Sequence, residues 1–142
     1  MSRYDRRGAI NERYPYSFQQ KIILRYLRNF YSGKRRVSAL LTYCTICWIV
    51  SDFSSEDSPS VNNWPKVIST YSGLGRSTAQ EYIRNLAGLG IIIYDRVRNE
   101  SGRWDRRRII LPAGLPDEVE AWQANNNETV GSLTEDGDNA TL

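Results

Sequence analysis

The sequence predicts a mainly helical α+β fold that contains one small β-hairpin. Four segments before residue 90 carry apolar residues at the three- and four-residue spacing of helices. Two β-prone runs, separated by a polar turn that ends in glycine, follow directly. With 142 residues, we expect one folded domain over residues 17–111, a basic flexible arm over 1–16 and an acidic, largely disordered tail over 112–142.

The charge is divided sharply along the chain. The net charge is only +3, but residues 1–111 hold all 19 Lys and Arg residues against nine acids, which leaves +10. Residues 112–142 hold seven acids and no base. A strongly basic folded region favours a partner made of phosphates, although a merely solvated basic surface also fits this composition.

The chain shows no segment that would cross or enter a membrane. Its longest apolar stretch, near residues 44–50, is far shorter than the roughly 20 residues that a membrane-spanning helix needs. The charged N-terminus is not followed by the apolar run of a signal peptide. We therefore expect a soluble cytoplasmic protein without a membrane partner.

The N-terminal arm is basic and lacks clean periodicity. It contains Arg3, Arg6 and Arg7, which could follow a DNA groove. A frayed, solvated terminus explains the same residues equally well.

Two helices are predicted before residue 54. In residues 17–32 an apolar stripe has helical spacing, with Lys21, Arg25 and Arg28 outside it. Residues 37–53 are apolar nearly all round, which indicates a helix buried on more than one side. This second helix has more apolar surface than one small core needs, so the first two helices are candidates for a dimer interface. A polar connection follows, in which we place a short strand at residues 58–61.

Cys44 and Cys47 form a C-x-x-C pair inside the second helix. A metal site needs about four ligands, and the chain has neither histidine nor a third cysteine. Redox pairs normally open a helix, whereas this pair lies within an apolar run. We predict two core thiols, no metal and no cofactor.

A pair of short helices is predicted between residues 63 and 90. Asn63 is placed to cap the first of them, with Pro65 in its first turn. Ser77 is placed to cap the second in a capping box with Gln80, and Gly90 ends it. Its core side is formed by four residues: Ala79, Tyr82, Ile83 and Leu86.

The hairpin that follows is rich in arginine. Its strands are predicted over residues 91–98 and 103–111, joined by a turn that ends at Gly102. Strand alternation places Arg106 and Arg108 on the same face of the hairpin as Trp104, and Arg107 on the opposite face. Asp95 and Asp105 are expected to pair with some of the arginines across the hairpin.

This order of elements resembles the winged helix-turn-helix DNA-binding domains. It is most similar to those at the front of phage and plasmid replication proteins and in small MarR-like repressors. The resemblance lies in residues 59–60, the turn 72–78, the run 83–92 and the basic hairpin, and it covers about residues 36–111. It implies a winged fold to which residues 17–32 add an extra N-terminal helix, and a C2 dimer is usual for such domains.

The resemblance also implies which residues meet DNA. A recognition helix lies in the major groove with its N-terminal residues at base edges, while the hairpin contacts the backbone or minor groove. For the recognition helix the candidates are Arg76, Ser77, Thr78, Gln80, Glu81 and Arg84, with Arg76 and Gln80 first. For the hairpin they are Arg96, Arg98, Arg103, Arg106, Arg107 and Arg108.

We therefore expect a sequence-specific double-stranded DNA-binding protein that acts as a homodimer. It would regulate transcription, or serve replication or partition of a virus, phage or plasmid. The alternative is a protein-interaction module that works through the acidic tail, where Val119 and Trp122 indicate a short helical turn. An enzyme is not expected, because no acid, base and nucleophile come together in the sequence.

Overall fold

The computed structural model describes residues 17, 19–52, 60–98, 102 and 104–135. In these residues the chain forms five helices and three strands, which confirms a mainly helical fold with an antiparallel hairpin. In chain order the elements are α1 (Lys21–Phe30), α2 (Gly33–Asp52), β1 (Ser60–Val61), α3 (Trp64–Ser72), α4 (Arg76–Gly88), β2 (Ile93–Arg98), β3 (Trp104–Ile110) and α5 (Asp117–Glu135).

Helix α1 is shorter than its sequence pattern predicts. It begins at Lys21, because the backbone before it is held by tertiary contacts. The backbone N–H of Gln20 donates to the Tyr43 hydroxyl at 3.1 Å, and the side-chain amide of Gln20 donates to the Pro112 carbonyl at 3.2 Å. The start of α1 is thereby joined to α2 and to the end of the sheet.

Helix α2 forms the centre of the core. Residues on several of its sides are buried, including Ala39, Tyr43 and Ile49, which confirms the prediction of a helix packed on more than one side. It contacts α1, α3 and α4. Among the described residues, no helix is long and apolar enough to cross a membrane.

The start of helix α3 has the predicted cap. The Asn63 side chain accepts from the Lys66 N–H at 3.1 Å, and Pro65 occupies the first turn. The helix ends on Gly73, whose φ of 83° lies in the left-handed region that suits glycine. Trp64 is buried, and its ring N–H donates to the Arg107 carbonyl at 2.9 Å, which fastens α3 to β3.

The predicted capping box at Ser77 is wrong. Helix α4 begins two residues earlier than predicted, at Arg76, with Gly75 in place of Ser77 as the N-cap and no side-chain bond to the first turn. The Ser72 hydroxyl accepts a hydrogen bond from the Leu74 N–H, which stabilises the turn before the helix. Gly75 is extended and its carbonyl accepts from the Ala79 N–H, so Ser77 already lies inside the helix.

The end of α4 agrees with the prediction for Gly90. This glycine has a φ of 76°, and its N–H donates to the Ala87 carbonyl. The Ile91 N–H donates to the Leu86 carbonyl, which completes a Schellman motif with both residues buried. Gly90 therefore turns the chain from α4 toward the sheet.

The sheet has the strand order β1-β3-β2, with both pairings antiparallel. The short strand predicted near residues 58–61 is confirmed at Ser60–Val61, and residues 58–59 lie outside the described residues. Arg98 pairs with Trp104 and Val97 with Arg106, so Asp105 is an extra residue in β3. This bulge interrupts the regular alternation that was predicted to run from Trp104 to Arg106.

The prediction of a largely disordered tail is wrong for residues 117–135, which form α5. Val119 is fully buried, and the ring of Trp122 meets that of Tyr26 edge-on at 5.8 Å. The two apolar residues predicted to mark a helical turn thus fix the helix on α1. Acids in the first turn of α5 also favour helix formation, since they oppose the positive end of the helix dipole.

Candidate nucleic-acid interface

The exposed side of α4 carries most of the predicted recognition residues. Ala79, Tyr82, Ile83 and Leu86 are all buried, as predicted. Burial of that side turns the opposite one to solvent, where Arg76, Ser77 and Arg84 are exposed and Thr78 is half-buried. The described part of the chain contains no ion pair to Arg76 or Arg84.

Gln80 and Arg84 interact with each other, one helical turn apart. In the amide orientation that suits both side chains, the Gln80 oxygen accepts from Arg84 Nε at 2.8 Å and from Nη2 at 3.1 Å. Gln80 is also half-buried. A bidentate contact to adenine would need that same oxygen, so Gln80 ranks below Arg76 as a base-reading candidate.

Glu81 pairs with a residue of another helix. Its carboxylate lies 3.7 Å from Nη2 of Arg35 in the first turn of α2, and both side chains are more than half exposed. An ion pair with this exposure contributes little to stability. It nevertheless places a cation of α2 beside the exposed side of α4, which the sequence pattern did not indicate.

Tyr31 holds the α1–α2 junction against α4. Its ring meets the Tyr82 ring edge-on at 5.7 Å, and the Arg35 guanidinium lies 5.7 Å from its centre. Burial raises the pKa of the Tyr31 hydroxyl, and nearby Tyr82 adds to this effect. Local spacing gives no signal for the contact between Tyr31 and Tyr82, because these residues are about 50 positions apart.

The two faces of the hairpin have different roles. Buried Ile109 and half-buried Tyr94, which are paired across the strands, mark the face that packs on the core. Because side chains alternate along a strand, Arg96 and Arg107, which also pair across the strands, lie on the same face as Tyr94 and Ile109. Arg96 is nevertheless exposed. The outward face carries Asp95, Arg106 and Arg108.

Two hairpin arginines already have partners. Arg108 makes a bidentate pair with Asp95, at 2.9 Å from Nε and 3.2 Å from Nη2, as predicted for Asp95. The Arg107 guanidinium lies 5.0 Å from the centre of the Tyr94 ring, a cation–π distance, and its side chain is half-buried. Both arginines therefore make contacts within the hairpin that help to hold its two strands together.

The described hairpin carries three further cations, Arg96, Arg98 and Arg106. All three side chains are exposed. Within the described residues, neither Arg96 nor Arg106 has an ion-pair partner. The other predicted contacts, Arg103 and the arm residues Arg3, Arg6 and Arg7, lie outside the described residues, as does the side chain of Asp105.

Of the two cysteines, Cys47 has the burial predicted for a core thiol, whereas Cys44 is not fully buried. Cys47 is 2% exposed and Cys44 is half-buried. Burial raises the pKa of both thiols, in Cys47 to about 12, which opposes thiolate formation near neutral pH. In the described ranges no three carboxylate or thiol side chains come together as a metal site would require.

Comparisons with models of known families, with curated proteins and with solved structures give no match to this chain.

Proposed function

We propose that the chain is a winged helix-turn-helix protein that binds double-stranded DNA sequence-specifically. The observation that carries the proposal is the exposed basic side of α4, followed directly by an arginine-rich hairpin. Helix α4 is the recognition helix, and the hairpin is the wing. The +10 balance of residues 1–111 supplies the electrostatic attraction.

Base recognition comes from the first turns of α4. Arg76 can donate two hydrogen bonds to guanine, while Ser77 and Thr78 can bond to bases or phosphates. The start of α4 has no side-chain cap, so its backbone N–H groups can also meet a phosphate. Arg84 releases Gln80 when it turns toward DNA, which makes both side chains available in the complex.

Backbone contacts come from the wing. Arg96, Arg98 and Arg106 can neutralise phosphates, whereas Arg107 and Arg108 keep the strands in place. Arg35 lies beside Glu81 and balances the charge of this acid close to the DNA. Arg103 and the arm arginines Arg3, Arg6 and Arg7 add further positive charge.

The protein acts as a homodimer on an inverted repeat, in the cytoplasm or on the nucleoid of its host cell. Its role is transcription regulation, replication or plasmid partition of a mobile element. Selection of bound duplexes from random DNA tests the specificity. We expect an enriched inverted repeat with half-sites about 10 bp apart, one helical turn. Binding without any enriched sequence would contradict the proposal.

Charge reversal tests the site. Arg76→Glu with Arg84→Glu should lower affinity for the selected DNA by at least 100-fold, because two attractive contacts become repulsive. The matched control is Arg25→Glu with Arg28→Glu, which makes the same charge change on the exposed side of α1. Equal losses in the two variants would show a non-specific charge effect and would argue against α4 as the recognition helix.

The protein-interaction alternative is favoured by one observation. Asp117, Glu118 and Glu120 are all exposed on the first turn of α5. If the protein bound no DNA, and replacement of these acids abolished capture of a basic partner, the alternative would displace the DNA-binding proposal.

A further inference from the structure

Helix α2 has an apolar stripe on the side that faces away from the core. Val37, Leu41, Cys44 and Trp48 follow one another at intervals of four, three and four residues, and Ser51 comes three residues later. This alternation of four and three is the spacing of a helix–helix seam. Val37 is 62% exposed and Trp48 is 45% exposed, while Leu41 and Cys44 are half-buried.

The stripe is narrow and distinct from the buried sides of α2. At 100° per residue, its five residues fall within an arc of about 80°. The buried residues Ala39, Thr42 and Ile46 lie on the opposite side of the helix. Trp48 rests edge-on against Tyr71 of α3 at 4.7 Å, which holds its ring in place at the border of the stripe.

We propose that this stripe is the dimer interface, packed antiparallel against α2 of a second copy. The two-fold axis lies between Leu41 and Cys44. Val37 then packs on the partner's Trp48, and Leu41 on the partner's Cys44. Each of these layers occurs twice, as an isologous interface requires.

Charge favours a second copy in this orientation. The stripe has no charged residue, and Lys34 in the first turn of α2 is the cation that lies nearest to it. Arg35 instead faces Glu81 of α4, and Arg36 Nε donates to the Tyr31 carbonyl. A parallel pair would bring Lys34 against its copy. In an antiparallel pair Lys34 lies beside the C-terminal end of the partner helix, where unpaired carbonyl groups carry partial negative charge. The start of one stripe therefore complements the end of the other.

The interface specifies the dimer of the proposed function and rests on that dimer, but it can be tested without DNA. Cys44 supplies a natural reporter. In the antiparallel seam the two copies of Cys44 are in adjacent layers, about 4.5 Å apart along the helix axis. A short bis-maleimide should therefore join two chains of the native protein through Cys44.

Cross-linking should disappear in Cys44→Ser and persist in Cys47→Ser, since Cys47 faces the core. Orientation is tested by Val37→Cys in the Cys44→Ser background. The two introduced thiols would be about 16 Å apart along an antiparallel seam and directly opposed in a parallel one. Efficient cross-linking at position 37, or none at Cys44, overturns the proposed interface.

A charge in the stripe should dissociate the dimer. Val37→Glu places two carboxylates in an apolar seam, so its dimer dissociation constant should rise at least 100-fold in sedimentation equilibrium. Ile93→Glu is the matched control, because Ile93 is 46% exposed and lies on β2. Circular dichroism checks that both variants fold. A folded Val37→Glu protein that stays dimeric would place the interface elsewhere and leave the DNA-binding proposal standing. A native protein that binds DNA specifically as a monomer would overturn the proposed dimer and its interface, but not DNA binding itself.

Discussion

Cys47 shows how burial, rather than motif spacing, determines the chemistry of a residue. The C-x-x-C pair is compatible with redox or metal chemistry from its sequence alone. Desolvation inside α2 is the largest cause of the raised Cys47 pKa, and a hydrogen bond with Tyr43 lowers it only in part. The thiol is therefore protonated at neutral pH and behaves as a small apolar side chain.

This burial predicts a loss of stability in alkali. The pKa of Cys47 rises from an ordinary 9.0 to about 12 on folding, so the unfolded chain ionises first. The resulting stability is fully present below pH 9 and is lost as the pH rises toward 12. Urea unfolding between pH 7 and pH 11 should show a steeper decline for the native protein than for Cys47→Ala. Parallel curves would contradict this effect of burial.

Helix α5 shows how two apolar residues can hold an otherwise polar element. Val119 and Trp122 contact the core, and the pKa of the Tyr26 hydroxyl is raised chiefly by burial and further by the nearby Glu118 carboxylate. The Asn126 amide donates to the Trp122 carbonyl at 2.8 Å. These contacts all lie in the first half of the helix.

Trp122→Ala should therefore lower the unfolding free energy by about 2 kcal/mol, since a half-buried aromatic ring is lost from the edge of the core. Removal of residues 127–142 is the control, because it retains Val119, Trp122 and Asn126. Urea unfolding monitored by circular dichroism measures both changes. A truncation as destabilising as Trp122→Ala would place essential contacts in the second half of the helix.

At the scale of the whole molecule, most basic and acidic residues are carried by different elements. Among the described residues, the bases lie on α1, the start of α2, α3, α4 and the hairpin, while α5, which packs on α1 through Trp122, carries acids. This distribution leaves α4 and the hairpin positively charged. DNA binding should therefore depend strongly on salt.

Replacing Arg96 and Arg106 together by alanine should reduce the log–log salt dependence of DNA affinity by about two per protomer. The loss should be similar for specific and unrelated duplexes, since phosphates carry no sequence information. Arg108→Ala should change the slope less, because Arg108 is paired with Asp95. Titrations at several salt concentrations measure both slopes, and an unchanged slope in the double variant would exclude the wing from the interface.

Features that depend on a few neighbouring residues could be predicted from the sequence. The order of helices and strands from α1 to β3, the Asn63 cap and the left-handed Gly90 all follow from local backbone chemistry. The core side of α4 was predicted as well, because helical periodicity alone separates Ala79 and Leu86 from Arg84.

The tertiary structure alone determines which of the candidate side chains are accessible. The pairing of β2 with β3 includes a bulge at Asp105 that interrupts the strand alternation. Arg35 comes beside Glu81 only because Tyr31 packs on Tyr82. Local spacing encodes backbone hydrogen bonds within a helix or turn, whereas these contacts join distant segments and form only when the core is assembled.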